Sequence, residues 1–589
     1  MAKILGFGGL PGITAKKQRH IPDLSSRELN ISQGADTAAA LLIDGHLVAA
    51  AAEERFDGQK HSRAFPAQAI DYCLSAAGLS VSDLDYIAHP FDFSGDEALF
   101  ADQSQFHREL FSDILAPDRV KSLTEKHLGV DLSGRFVPVR HHLAHAETAF
   151  APSGFEEALV VVSDGVGERH SASVYIGNKS GLERITSISA TNSLGIVYGL
   201  VTMYLGFEFG DGEYKVMGLA PFGDVRVYRE QFAEHCVRCR ADGHYDTPIL
   251  LQNSTAKDKE TFRAALAEME RIFGPRRLPG EQISQRHKDI AAALQKAMEA
   301  AHFNFIAHYQ KETGIEHLCL AGGVALNCVA NGLLLRSRRF KDIFVQPAAG
   351  DDGAAMGAAL SVARGLDEPV SVPAGSSFGP GCDPLRAVEH PDHESQDFDW
   401  ETYEDEDTMV SAVADRLANG EIIGWCQGRM EFGPRALGYR SILADPRPEN
   451  MQSRINQLIK KREGFRPFAP AVPVEKAEEY FEIDPDEAHV FANMLFVAYV
   501  RENYRKSLPA ATHIDGSARV QTVDPRVNPL FWKLLHMFDQ KSGIPILLNT
   551  SFNVAGQPIV RSPDLALDTT LKAGLDACVI GRSIATPKN

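Results

Sequence analysis

The sequence has no long apolar run, and nowhere in its 589 residues does it reach the roughly 18 consecutive apolar positions that a membrane span needs. Its opening, MAKILGFGGLPGITAKK, lacks an extended apolar stretch ahead of a small-residue cleavage site, so no secretory leader is expected. Cysteine is sparse: eight residues, scattered without the spacing of a disulfide framework, the pattern of a reducing compartment. Cys236 and Cys239 have metal-ligand spacing, but no second such pair follows and no zinc site is expected. Positive charge is also short, with 60 Lys and Arg against 78 Asp and Glu and a net charge of −18. That balance argues against a large nucleic-acid footprint while leaving room for a local basic pocket. A cytoplasmic protein with no membrane partner is the expectation.

The chain is too long for one hydrophobic core, and at least two domains are expected. Residues 3–8 read as a strand and 38–54 as two strands joined at Asp44-Gly45, a two-residue hairpin signal. The pattern returns at 158–164, 172–176 and 182–188, which points to a duplicated α/β domain of the actin and sugar-kinase type; two unrelated hairpins are the alternative. Ile290, Leu294, Met298, Ala301 and Phe305 recur at helical spacing within 288–309. A buried strand, His317–Leu320, follows and runs into Ala321-Gly322-Gly323, placing a turn at a strand's carboxyl end, where open α/β sheets bind ligands. Residues 366–399, rich in Pro, Gly and acid, read as a linker between a domain over 1–365 and a second over 400–589.

The sharpest chemical signal is RHHLAHA at 140–146. His141 and His145 stand one helical turn apart and can share a metal; His142 and His145 are the competing pair. Asp164 ends an apolar strand among glycines, and Gly350-Asp351-Asp352-Gly353 follows another. Two imidazoles with such carboxylates suit a divalent transition metal such as iron, with Asp351 as ligand and Asp352 as a helix cap. The turns carrying Gly165, Gly212 and Lys215, and Gly322, Gly323 and Asn327, offer backbone N–H groups and a cation to a nucleotide. Farther on, Arg435, Lys460, Arg462, Arg466 and Arg519 stand among small polar and apolar residues, with Asn549-Thr550-Ser551-Phe552-Asn553 closing the set. Arginine forks and hydroxyls suit a small, doubly charged phosphate.

These motifs in order, HHLAHA (141–146), SDGVGE (163–168), YKVMGLAPFG (214–223), AGGVALNC (321–328), GDDGAAMGAA (350–359), EFGPRALGYRS (431–441), HIDGSARVQTV (513–523) and NTSFNVAGQPIV (549–560), resemble the NodU/TobZ-type O-carbamoyltransferase family. The resemblance implies an actin-like first domain, similar to that of the tRNA threonylcarbamoyl transferases, that holds metal and nucleotide and performs transfer. It implies a YrdC-like second domain that makes carbamoyl adenylate from carbamoyl phosphate and ATP. Carried over by position, His141, His145, Asp164 and Asp351 would hold iron(II), and Arg435, Lys460, Arg466, Arg519, Ser551 and Asn553 carbamoyl phosphate. Lys60 falls where the family has a lysine near the nucleotide, and magnesium would accompany ATP. The acceptor would be a small molecule, a secondary metabolite above all. A tRNA-modifying carbamoyl transferase, disfavoured by the acidic charge, and a nucleotide-binding relative without activity are the rival readings. A homodimer is compatible with the sequence.

Two positions depart from the family. Ala35 stands where a histidine precedes the first hairpin, behind an insertion of about residues 11–33, and Tyr439 replaces an asparagine. If that histidine deprotonates the acceptor, His142 and His61 are the candidate substitutes and an amine acceptor the chemical alternative.

Overall fold

A computed structural model describes residues 2–588 except 102, 383–396, 461–463 and 465–467, and describes 458 and 460 without their side chains. The chain packs as two units, one formed by Met1–Glu53 with His61–Pro373, the other by Glu54–Lys60 with Ala374–Asn589. Residues 54–60, assigned to the first domain by sequence, therefore group with the second unit.

The first unit contains one topology twice. Across its first sheet the strands run His46–Ala52, Ala38–Ile43, Lys3–Gly8, Tyr86–His89 and Phe136–Pro138. The first three are antiparallel neighbours and the last two join in parallel. Across the second sheet, Gly181–Ser189, His170–Asn178, Ala158–Ser163, His317–Ala321 and Asp342–Val345 repeat the order and the sense of every pairing. This is the duplicated actin and sugar-kinase arrangement expected from the sequence. Asp44 (φ 54°) and Gly45 (φ 74°) both occupy the left-handed region that a two-residue hairpin turn matched to strand twist requires. Ala158–Ser163 is buried at all six positions, as a strand covered on both faces must be.

Helix His141–Ser153 packs on the second sheet, helix Asp351–Gly365 on the first, and the two helices pack on each other. Their approach depends on small residues: a Cβ on Gly357 would sit 1.8 Å from the carbonyl oxygen of Ala144. Arg364 clasps the buried Glu147 through two hydrogen bonds of 2.8 and 2.9 Å. Each helix begins at the same end of this pair of sheets, and each begins with a residue of the site described below. The long helix expected over 288–309 extends from Gln285 to Thr313, and all five of its periodic apolar residues are buried.

The second unit is built on a mixed eight-stranded sheet in the order Phe398–Thr402, Ser583–Pro587, Ala577–Ile580, Ile423–Cys426, Arg440–Ala444, Leu547–Ser551, Ala469–Pro473 and Gln521–Val523. Helices Glu406–Ala418 and Pro529–Ser542 pack together, and Val413, Leu417, Phe531, Leu535 and Phe538 form a core with Trp425 and Val579 of the sheet. Within the stretch read as a linker, residues 374–382 pack into this unit: Phe432 N–H donates to Ser376 O (2.7 Å) and Cys382 N–H to Gly428 O (2.9 Å). Among the described residues no helix is long and apolar enough to cross a membrane.

Candidate functional site

His141 and His145 lie on the first two turns of helix His141–Ser153, Asp164 directly follows strand Ala158–Ser163, and Asp351 opens helix Asp351–Gly365. Three separate stretches of sequence thus converge. The two imidazole Nε2 atoms are 3.1 Å apart. His141 Nε2 is 3.3 Å from Asp164 Oδ2, and both imidazoles stand 3.5 Å from Asp351 Oδ1. One donor atom from each of the four residues lies within 4.8 Å of every other. His141, His145 and Asp164 are buried.

The surroundings orient these groups. His141 Nδ1 lies 3.1 Å from the Pro90 carbonyl, which can only accept, so Nδ1 carries a hydrogen and Nε2 is the atom that faces the cluster. The ring stacks on Phe91 at 4.3 Å. Glu168 Oε1 accepts from the N–H groups of His141 and Asp92, both at 2.9 Å, and fixes the start of the helix. Gly323 N–H donates to Asp164 Oδ1 at 3.0 Å, bringing the glycine turn after strand His317–Ala321 against the cluster. Burial opposes charge on the His141 ring, yet Asp351 and Asp164 raise its pKa well above the ordinary value. Burial likewise opposes ionisation of Asp164, and the two histidines hold it well below the usual carboxylate range. Two imidazoles and two carboxylates drawn together, with Asp351 half-buried and the rest buried, are a donor set that fits one divalent transition metal. Asp352, read as the helix cap, instead lies in the first turn behind the N-cap Gly350, and its Oδ1 accepts from Gly353 N–H at 3.0 Å.

The other sequence-derived positions of the first unit have partners of their own. His142 turns away from it: Nδ1 is 2.8 Å from Ser173 Oγ, and burial pushes its pKa well below the ordinary value, leaving a neutral ring. His61 lies 2.8 Å from Asp36 Oδ1 and 3.5 Å from Asp211 Oδ1; chiefly through Asp36, its pKa is raised well above the ordinary value. Of the two candidate bases, His142 is the neutral one. Gly212 caps helix Glu213–Leu219, whose Lys215 ammonium lies 5.5 Å from the Phe207 ring centre. Asn327 caps helix Cys328–Arg336, and its amide exchanges hydrogen bonds of 3.0 and 3.1 Å with Gln295. Gly165 N and the Asp164 carbonyl lie so close to Gly195 that a Cβ there would fall within 2.9 Å of both.

In the second unit, the loops bearing Arg435, Arg519 and Ser551 are joined through Gln521. Its amide donates to Leu437 O (2.9 Å), and its oxygen accepts from Asn549 Nδ2 (2.7 Å). Leu437, Gln521 and Asn549 are each two residues from one of those three side chains. Glu431 organises the first loop: its buried Oε1 accepts from the N–H groups of Leu437, Tyr439 and Arg440 at 2.8, 2.9 and 3.1 Å. Ser551 donates to Asn553 Oδ1 at 2.6 Å. Tyr439, the asparagine replacement, donates its hydroxyl to Val527 O at 3.0 Å. Arg466 and the Lys460 side chain lie outside the described residues. Lys60 ends the segment Glu54–Lys60, in which buried Arg55 donates to Gly433 O at 2.9 Å.

The family model described as carbamoyltransferase N-terminus matches residues 27–99 and 92–360, and that described as carbamoyltransferase C-terminus matches 414–586. The chain belongs to the carbamoyltransferase family. It is a transferase, similar to the nodulation protein NolNO of Sinorhizobium fredii, with 40% identity over 97% of this chain and 81% of that one. The 3'-hydroxymethylcephem-O-carbamoyltransferase of Amycolatopsis lactamdurans is 35% identical over 50% of this carbamoyltransferase and 53% of its own length. A crystal structure of full-length HypF in the phosphate- and nucleotide-bound form aligns with 63% of this chain and 56% of that one, at 13% identity and a TM-score of 0.35.

Gln521, Glu431, Glu168 and Pro90 did not emerge from the sequence. The only signal for Glu431 and Gln521 was their place inside long motifs, because Glu431 acts through backbone N–H groups and Gln521 through a backbone carbonyl and an amide far along the chain.

Proposed function

We propose that this carbamoyltransferase activates carbamoyl phosphate with magnesium-bound ATP as carbamoyl adenylate, and passes the carbamoyl group to a hydroxyl of a small molecule. The observation that carries this reading is the Gln521 hub, which gathers two arginine loops and a hydroxyl loop at one edge of the second unit's sheet. A fork, a second fork and a hydroxyl complement a phosphate dianion. Atom balance then sets the sequence of steps. Carbamoyl phosphate yields its phosphate to water, a carbamate oxygen attacks the α-phosphorus of ATP, and pyrophosphate leaves. The acceptor oxygen next attacks the carbamoyl carbon, AMP leaves, and the hydroxyl proton must be removed.

Iron(II) held by His141, His145, Asp164 and Asp351 would supply Lewis-acid polarisation of an oxygen at the transfer step. Gly165, Gly212, Gly322 and Gly323 would lend backbone N–H groups to the nucleotide, with Lys215 as cation. His142, neutral and tethered to Ser173, would take the acceptor's proton on Nε2. Lys60 would offset charge on the leaving group. A hydroxyl acceptor is favoured by the O-carbamoyltransferase relative. The scattered thiols support a cytoplasmic setting for this activity.

The test is ATP–pyrophosphate exchange dependent on carbamoyl phosphate, run beside mass-spectrometric screening of alcohol and amine panels with the wild type and Ala35→His. Exchange together with carbamoylated alcohol is expected. A folded wild-type protein without exchange overturns the adenylate route, and exclusive modification of amines overturns the acceptor assignment.

A further inference from the structure

Arg561 directly follows the motif NTSFNVAGQPIV (549–560). Among the described residues no carboxylate pairs with it, and its Nε is shut off from solvent with no hydrogen-bond partner. Burying a guanidinium N–H without an acceptor is costly unless something else supplies one. The backbone compounds the cost. Arg561 immediately precedes Ser562, the N-cap of helix Pro563–Ala573, so its charge sits at the positive end of an 11-residue helix, where an acidic side chain would be favoured.

Two contacts locate this cation. Its guanidinium carbon lies 5.4 Å from the centre of the Phe56 ring. Phe56 adjoins buried Arg55, whose guanidinium holds Gly433 O at 2.9 Å, two residues before Arg435. On the other side, Val560 N–H donates to Phe552 O at 3.0 Å, and Asn553 Nδ2 donates to Gln557 O at 2.5 Å, so the loop doubles back and returns Arg561 toward Ser551 and Asn553. Arg561 is thus tied to the Ser551 loop by its own chain and lies against Phe56, the neighbour of the arginine that holds the Arg435 loop. Stacking on an aromatic face fixes the guanidinium plane and leaves its in-plane N–H donors for an oxyanion.

We propose that Arg561, seated on Phe56, is a further phosphate-binding residue of the second unit and donates to a phosphoryl oxygen of its substrate. This rests on the reading of that unit as the carbamoyl phosphate- and ATP-using part. The shared chemistry is a phosphoryl oxyanion, carried either by carbamoyl phosphate or by the ATP polyphosphate.

The experiment measures ATP–pyrophosphate exchange in the full chain for wild type, Arg561→Gln, Arg561→Lys and Phe56→Leu, varying carbamoyl phosphate and ATP separately, with thermal melting as the control for folding. Arg561→Gln should raise KM for one of the two substrates by about tenfold, with little change in kcat or melting temperature. Arg561→Lys should recover part of that loss, and Phe56→Leu should move the same KM in the same direction. The substrate whose KM moves identifies the source of the oxyanion. Unchanged KM for both substrates in folded Arg561→Gln, or in folded Phe56→Leu should Arg561→Gln not fold, overturns the proposal. If the wild type shows no exchange, the adenylate reading fails independently. Calorimetric titration with inorganic phosphate and with ATP then decides: weaker binding to Arg561→Gln than to wild type sustains the proposal, and equal binding overturns it.

Discussion

Nε2 of His145 stands 3.1 Å from Nε2 of His141, and the carboxylate of Asp351 is equidistant from both at 3.5 Å. Two imidazole nitrogens so close need a shared proton or cation between them, and the Pro90 carbonyl has already fixed the hydrogen of His141 on the opposite nitrogen. His145→Ala removes one of four donors. Metal content measured by inductively coupled plasma mass spectrometry should fall at least tenfold and carbamoyl transfer should be lost, while ATP–pyrophosphate exchange continues. Full metal occupancy with full transfer in this variant rules the centre out.

The same centre depends on how closely two helices pass. Gly357→Ala would place a methyl group 1.8 Å from the Ala144 carbonyl and force apart the helices that begin at His141 and Asp351. Overpacking of this kind costs about 1–3 kcal/mol. A lower melting temperature together with lower metal occupancy is the expected pair of results. A normal melting curve would show that the helices yield without strain.

Arg435 lies on the loop that Glu431 gathers, two residues before Leu437. Replacing it by Lys keeps the charge and removes the fork, at about 1.5–3 kcal/mol for a charged hydrogen bond, or roughly a 10- to 150-fold rise in KM for carbamoyl phosphate. Initial-rate measurements at saturating ATP read this directly. An unaltered KM would place the phosphate elsewhere.

His302, on helix Gln285–Thr313, is buried with both ring nitrogens unpartnered among the described residues, and burial pulls its pKa down to about 4. In the unfolded chain a histidine titrates near 6.5. Between those values the unfolded state binds the extra proton, so stability rises with pH through the window and is lost as pH falls from about 6.5 toward 4, by up to about 3 kcal/mol. His302→Leu should flatten the acid side of a stability–pH profile measured by urea unfolding, with stability at pH 7 unchanged or higher. A slope identical to wild type would show that His302 titrates normally.

Much of the first unit was legible because its signals are local. Apolar runs such as Ala158–Ser163, the Asp44-Gly45 turn and the one-turn spacing of His141 and His145 each announce themselves within a few residues. Asp164 and Asp351 were readable as strand-end carboxylates, but only tertiary packing could bring them to one point. What the sequence concealed acts over distance or through the main chain. Gln521 ties Leu437 to Asn549 across residues far apart in the chain, and Pro90 contributes only a carbonyl that any residue could supply. Arg561 stands one residue beyond a motif, and nothing local in the sequence marks it.

The segment Glu54–Lys60 makes the second unit discontinuous along the chain. No single cut separates the two units: a fragment beginning at Ala374 would leave Gly433 without the Arg55 guanidinium and Arg561 without the Phe56 ring. During synthesis, this seven-residue piece emerges long before the rest of the unit it completes, so the second unit cannot finish folding as an independent late arrival. Swapping C-terminal parts between relatives should therefore succeed only when the residues matching 54–60 travel with them.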